Sequence, residues 1–139
     1  MSACDILVIA NLNMDLILEQ KNSQQTSRKR YADSFTLSPG GNGYNEAVAA
    51  ARMGATVALA GMIGSDSFGA QLKASLNEEI TDSQLVRVVP GSSGLSLILS
   101  SAGQENIYLD IVGANACLDE EYIRGLESHI AKVKLLVVG

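Results

Sequence analysis

The sequence has no tryptophan, two prolines, two cysteines and a single histidine in 139 residues. Each scarcity narrows the chemistry. Cys4 and Cys117 are too few for the disulfide scaffolds of small secreted domains, and neither stands in a C-x-x-C pair. They read as reduced thiols. His129 alone leaves no His/Cys cluster at zinc-ligand spacing, so no metal site is expected. It is also the one histidine a Ser/His/Asp triad could use, and it falls late in a surface helix, where a positive charge is mildly favoured. Positive charge is short as well: Lys+Arg 10 against Asp+Glu 15 gives a net charge of −5. That balance disfavours nucleic-acid binding through a basic surface. Arg28-Lys29-Arg30 closes the polar stretch 21–30 and reads as a solvated loop. No apolar run approaches the ~20 residues that span a bilayer. The N-terminal Met1-Ser2-Ala3-Cys4-Asp5 lacks the basic region of a secretory signal, so a cytoplasmic location is expected.

What is present describes a globular chain. Hydrophobic residues make up 47% and charged residues 18%, in a length that suits one domain. Residues 6–10, Ile-Leu-Val-Ile-Ala, form a short apolar run typical of a strand buried on both faces. Residues 16–18 and 31–37 are extended, and 38–43, Ser-Pro-Gly-Gly-Asn-Gly, form a dense turn cluster. A small-residue helix follows over 44–53 with Gly54 as its C-cap, then a buried strand over 56–62. Asp66 or Ser67 caps a helix over 68–77. The chain is β-rich from Val86, with strands at 95–100 and 106–110 about a hairpin turn at 102–104. A helix over 119–131 and a strand over 134–138 close it. Alternating strands and helices predict an α/β fold with a parallel sheet, and the β insertions predict a small separate layer beside it.

The strongest local signal is Gly40-Gly41-Asn42-Gly43 at a helix start. Glycines there permit positive φ and close approach of a ligand, and free helix N–H groups favour an anion or a hydroxyl-rich molecule. The same glycines serve equally as a tight turn. Two phosphate motifs fail: Glu46 stands where G-x-G-x-x-G needs its last glycine, and Ala70-Gln71 where a P-loop needs Lys-Ser/Thr. Asn45, in the first helical turn, can donate and accept toward whatever sits over the glycines. Asp15 follows a buried strand, and ligands in open α/β sheets bind beyond the carboxyl ends of strands. It suits a hydroxyl acceptor or a solvated turn.

Taken in order, 11–15 (Asn-Leu-Asn-Met-Asp), 40–55, 61–69 (Gly-Met-Ile-Gly-Ser-Asp-Ser-Phe-Gly), 103–106 and 113–116 (Gly-Ala-Asn-Ala) resemble the ribokinase family of sugar and nucleoside kinases, the phosphofructokinase-B group. The resemblance implies a three-layer α/β/α fold with a β-sheet lid, its strands within 14–38 and 94–111. It implies transfer of the ATP γ-phosphate to a sugar hydroxymethyl, with ribose favoured, and use of Mg2+ and a monovalent cation. By resemblance Asn13, Asp15, Gly40, Gly41, Asn42 and Asn45 bind the sugar, while Leu97 and Ile107 belong to a lid whose apolar underside closes over it. A homodimer through the lid is expected too, because a sheet stopped midway leaves an open edge and an uncovered face. The chain departs from the family at Asn42, where a lysine is usual, and in 21–30, which lacks the usual Pro-Gly-Glu. It also has no Gly-Ala-Gly-Asp segment, the family's carrier of the catalytic base. The chain is therefore expected to be the substrate-and-lid portion of such a kinase, incomplete at its C-terminus, without catalytic residues and inactive alone. A non-catalytic sugar-binding or self-associating module is the alternative.

Overall fold

The computed structural model describes residues 3–22, 24 and 26–139. Four strands, β1 (Ile6–Ile9), β4 (Val57–Gly64), β5 (Val86–Val89) and β8 (Leu135–Val138), form a parallel sheet in the order β5-β4-β1-β8. Successive side chains of a strand alternate between faces, and here both faces are apolar. Val8, Ala10, Val57, Leu59 and Ile63 point to one layer, formed by α1 (Asn42–Arg52) and α2 (Ser67–Glu79). Leu7, Ile9, Ala58, Ala60 and Met62 point to the other, where Ala114, Tyr122 and Leu126 cover them. That second layer holds a 3-10 helix (Gly113–Cys117), α3 (Glu120–Arg124) and α4 (Glu127–Ile130). The expected three layers are in place.

A second sheet stands beside this core. It contains β2 (Asn13–Gln20), β3 (Ser34–Gly40), β6 (Gly94–Ser101) and β7 (Ile107–Ile111) in the order β3-β2-β6-β7. β2 and β6 run parallel, and β3 and β7 pair antiparallel at the edges. Its strands overlap the segments 14–38 and 94–111, and for its place beside the core it is called the lid sheet. Ser23 and Gln25, within the polar stretch 21–30, lie outside the described residues, as do Met1 and Ser2.

The structure corrects three boundaries. The turn cluster 38–43 shrinks to Gly41: β3 runs through Pro39 to Gly40, and α1 begins at Asn42. Proline is tolerated there because β3 is an edge strand with one neighbour. The helix expected over 119–131 is two short helices separated at Gly125 and Leu126. Val86–Val89, read as part of the β insertions, joins the core sheet beside β4.

α1 ends as its sequence predicts. Gly54, at φ +96°, donates to Ala51 O at 2.9 Å, and Ala55 donates to Ala50 O at 3.1 Å. This paired closure satisfies the last carbonyls of the helix.

Candidate functional site

Three junctions between core and lid converge on one place. β1 delivers Asn11 past its carboxyl end, β2 opens on Asn13 and Asp15, and β3 hands over through Gly41 to the N-terminus of α1. Gly41 has φ +100°, and a Cβ there would lie 2.6 Å from Asn11 O, so only glycine fits. Gly40 is needed for a different reason. A Cβ on it would lie 2.0 Å from the Asp15 carboxylate.

The result is a cavity of about 270 Å³ lined by Asn11, Asn13, Asp15, Gly41, Asn42, Asn45, Ser96, Ile98, Tyr108, Asp110 and Gly139. Of the residues singled out from sequence, Asn13, Asp15, Gly41, Asn42 and Asn45 share it. Gly40 lies behind them as the space that Asp15 occupies.

Leu97 and Ile107 are on β6 and β7, inside the lid, yet neither lines the cavity. Their neighbours Ser96, Ile98 and Tyr108 do. Strand side chains alternate with period two, so a shift of one residue exchanges the two faces. The face toward the cavity is accordingly more polar than the apolar underside expected. The row Ser38–Asp15–Ser96–Asp110 runs straight across the lid sheet. Asp110, Ser96 and Tyr108 went unnoticed in the sequence. Asp110 and Ser96 lie directly across the strands from Asp15, a register that alternation within one strand leaves open.

Two carboxylates in one cavity set its electrostatics. Burial raises the Asp15 carboxyl above its ordinary value of 3.8, and the charge of Asp110 adds to the rise. Ser96 donates its hydroxyl to Asp110 Oδ1. Among the described residues no lysine, arginine or histidine lines the cavity, and Asn42 is neutral. An anion would face repulsion from both carboxylates. A neutral molecule rich in hydroxyls suits them, since each carboxylate oxygen accepts charge-assisted hydrogen bonds of ~1.5–3 kcal/mol.

The described residues hold no group of three or more His, Cys, Asp or Glu able to grip a metal ion. His129 and Cys4 sit elsewhere, lining an apolar cavity of about 450 Å³ with Leu7, Ala58 and Leu85. That cavity is the larger, but it opens near the amino ends of β1 and β4, away from the polar convergence. No helix among the described residues is long and apolar enough to cross a membrane.

Outside the cavity, Asp66 knits core to lid. Burial pushes its carboxyl up, but hydrogen bonds from the Ser93 backbone and hydroxyl and from Gly69 N outweigh this and hold it below 3.8. Ser93 N and Oγ donate at 2.9 and 2.7 Å, and Gly69 N at 2.8 Å. Asp66 thus caps α2, as predicted, and also anchors the chain entering β6.

Comparison with known proteins finds relatives along nearly the whole chain. The chain is 31% identical over 134 residues to the ribokinase of Haemophilus influenzae, a match covering 96% of this chain and 44% of that protein. It is 32% identical over 135 residues to the deoxyribokinase of Salmonella typhi, with the same two coverages. The solved ribokinase of Giardia lamblia superposes with a TM-score of 0.85 at 26% identity, over 97% of this chain and 44% of that one. The chain thus spans less than half the length of these relatives. The model of the pfkB family of carbohydrate kinases matches residues 4–139, from the first core strand through the lid to β8, and this chain belongs to that family.

Proposed function

We propose that this chain is the sugar-binding and lid portion of an ATP-dependent carbohydrate kinase, and that it takes a pentose with ribose favoured. One observation carries the reading: Asp15, Asp110, Asn13, Asn45 and the start of α1 line a single cavity with no basic group among its described lining residues. A furanose offers hydroxyls on neighbouring carbons, each able to donate to a carboxylate and accept from an amide. The lid closes over it, and exclusion of water strengthens these contacts. In the complete reaction a sugar hydroxyl oxygen bonds to the γ-phosphorus of ATP, the bond to the β-bridging oxygen breaks, and ADP leaves. The hydroxyl proton passes to a base. None of the residues assigned here supplies that base, so they bind and orient. Cytoplasmic action, where ATP is at hand, belongs to this reading.

Self-association through the lid is part of the same proposal. Phe35, Ile107, Leu109 and Ile111 are exposed on the lid face turned from the cavity, beside Leu16, Leu18, Leu97 and Leu99 of the inner strands. Contiguous apolar area of this kind marks an interaction surface, and a second copy presents the complementary face.

Calorimetric titration with ribose tests the proposal. Saturable binding that Asp15→Ala abolishes is the expected result; heat that does not saturate, or binding that survives the substitution, would overturn it. With ribose and ATP together, the 139-residue chain should release no ADP.

A further inference from the structure

Asn115 lies in the 3-10 helix that follows β7, outside the cavity and buried. The helix is pinned to the base of the lid by Ala114 N donating to Ser92 O at 2.8 Å. From there the Asn115 side chain reaches the first residues of β2. Leu12 N donates to Asn115 Oδ1 at 2.9 Å, and Asn115 Nδ2 donates to Leu12 O at 3.2 Å and to Asn13 Oδ1 at 2.9 Å.

The polarity of this chain of contacts has one solution. A backbone N–H can only donate and a backbone carbonyl can only accept, so Leu12 decides which end of the Asn115 amide carries oxygen. The amino group of Asn115 then has a second hydrogen to place, and Asn13 must meet it with Oδ1. Asn13 is left to turn its own NH2 to the cavity it lines.

Gly94 supports the same arrangement independently. A Cβ at that position would lie 2.1 Å from Asn13 Oδ1 and 2.3 Å from Asn115 Nδ2, so the glycine is the room in which this hydrogen bond is made.

We infer that Asn115 is a positioning residue that fixes Asn13 as a hydrogen-bond donor to the ligand. Asn13 then reads an acceptor oxygen while Asp15, two residues along the same strand, reads a donor hydrogen. A single hydroxyl satisfies both. A ligand group that only donates, such as an ammonium, meets the wrong end of Asn13. The inference rests on the sugar-binding reading for the identity of the ligand, but the orientation of Asn13 stands apart from it.

The test uses side-chain amide exchange measured by NMR on the 15N-labelled 139-residue chain, with the Asn13 resonance identified by its loss in Asn13→Ser. In the unliganded protein the Asn115 NH2 should be protected and the Asn13 NH2 should exchange freely. Asn115→Asp removes the donor, so Asn13 should flip to donate to the new carboxylate and its exchange should slow at least ~10-fold, the scale of one made hydrogen bond. An Asn13 NH2 already protected in the parent chain, or unchanged in a folded Asn115→Asp chain, overturns the inference. Should Asn115→Asp fail to fold, Asn13→Asp decides: its carboxylate still accepts, so Asn115 must stay protected, and loss of protection overturns the inference. Ribose titration separates the two readings. Absence of binding by the parent chain defeats the sugar assignment while the exchange data still judge Asn115. Where the parent binds, Asn115→Asp and Asn13→Asp should each weaken ribose ~10-fold or more, and undiminished affinity in either overturns the inference.

Discussion

The two four-stranded sheets are built from similar residues and put them to opposite uses. Every residue of β4 in the core sheet is buried, and every residue of β7 in the lid is exposed. Helices cover both faces of the core sheet, so its alternation carries no polar signal. Beyond its base no helix among the described residues covers the lid, and its two faces diverge: one meets the cavity through Asp15, Ser96 and Asp110, the other is a sheet of leucine, isoleucine and phenylalanine open to contact. The lesson is that apolar pattern alone does not distinguish a core from an interface. What distinguishes them is whether another layer of the same chain reaches the surface.

That contrast can be broken by mutation, and the largest effect should fall in the core. Leu59, fully buried between the sheet and its helices, should lose ~2–5 kcal/mol of folding stability as Leu59→Ala, read by urea unfolding. A loss below 1 kcal/mol would mean that the layers above β4 are not packed as described. Next is the seam between the two sheets. Asp66→Ala removes the α2 cap and the acceptor to which Ser93 N and Oγ donate, with an expected cost of ~2–3 kcal/mol. Because Asp66 also holds the start of β6, protease cleavage in the lid should rise in the same variant.

Acid titration separates the regions by sign. The Asp66 carboxyl is lowered in the folded chain, so its stabilisation is complete above the unfolded value of 3.8 and is lost as pH falls through the lower folded value. The Asp15 carboxyl is raised, so the folded chain holds that proton longer than the unfolded one, and stability declines as pH rises from 3.8 through the raised value. On the proposed reading, ribose donates its hydroxyls to ionised Asp15. Its affinity should therefore fall as pH drops below the raised value, approaching tenfold per pH unit, and Asp15→Asn should flatten the profile. A ribose affinity independent of pH across this window would remove Asp15 from the contact.

The smallest effect on folding should come from the outer lid face. Leu109 is 66% exposed, so Leu109→Asp should change monomer stability by no more than ~0.5 kcal/mol. The same substitution should dissociate lid-mediated assemblies, read by light scattering across a concentration series. A monomer before and after would show that this face has no partner copy.

Much of the core was legible in order and type because it rests on local rules. Gly54 ended its helix, Asp66 capped the next, and apolar runs of four to eight residues became strands. The miss at Gly125 has a local cause: a glycine and a short turn divided a helix whose apolar spacing looked continuous. The lid was harder. Its strands could be found, but the face each side chain takes depends on register between segments as distant as β2 and β6, which single-strand alternation leaves open. Ile98 and Tyr108, not Leu97 and Ile107, therefore face the cavity.

By itself the sequence determined a buried parallel sheet, a glycine-opened helix and one carboxylate after a strand end, because each follows from neighbours a few residues away. Only tertiary structure decided that Asp110 stands across Ser96 from Asp15, that the lid shows its polar side to the cavity, and that Asn115 settles the direction of Asn13. Those facts join residues about a hundred positions apart, and their polarity is imposed by backbone groups whose orientation exists only once the chain has folded.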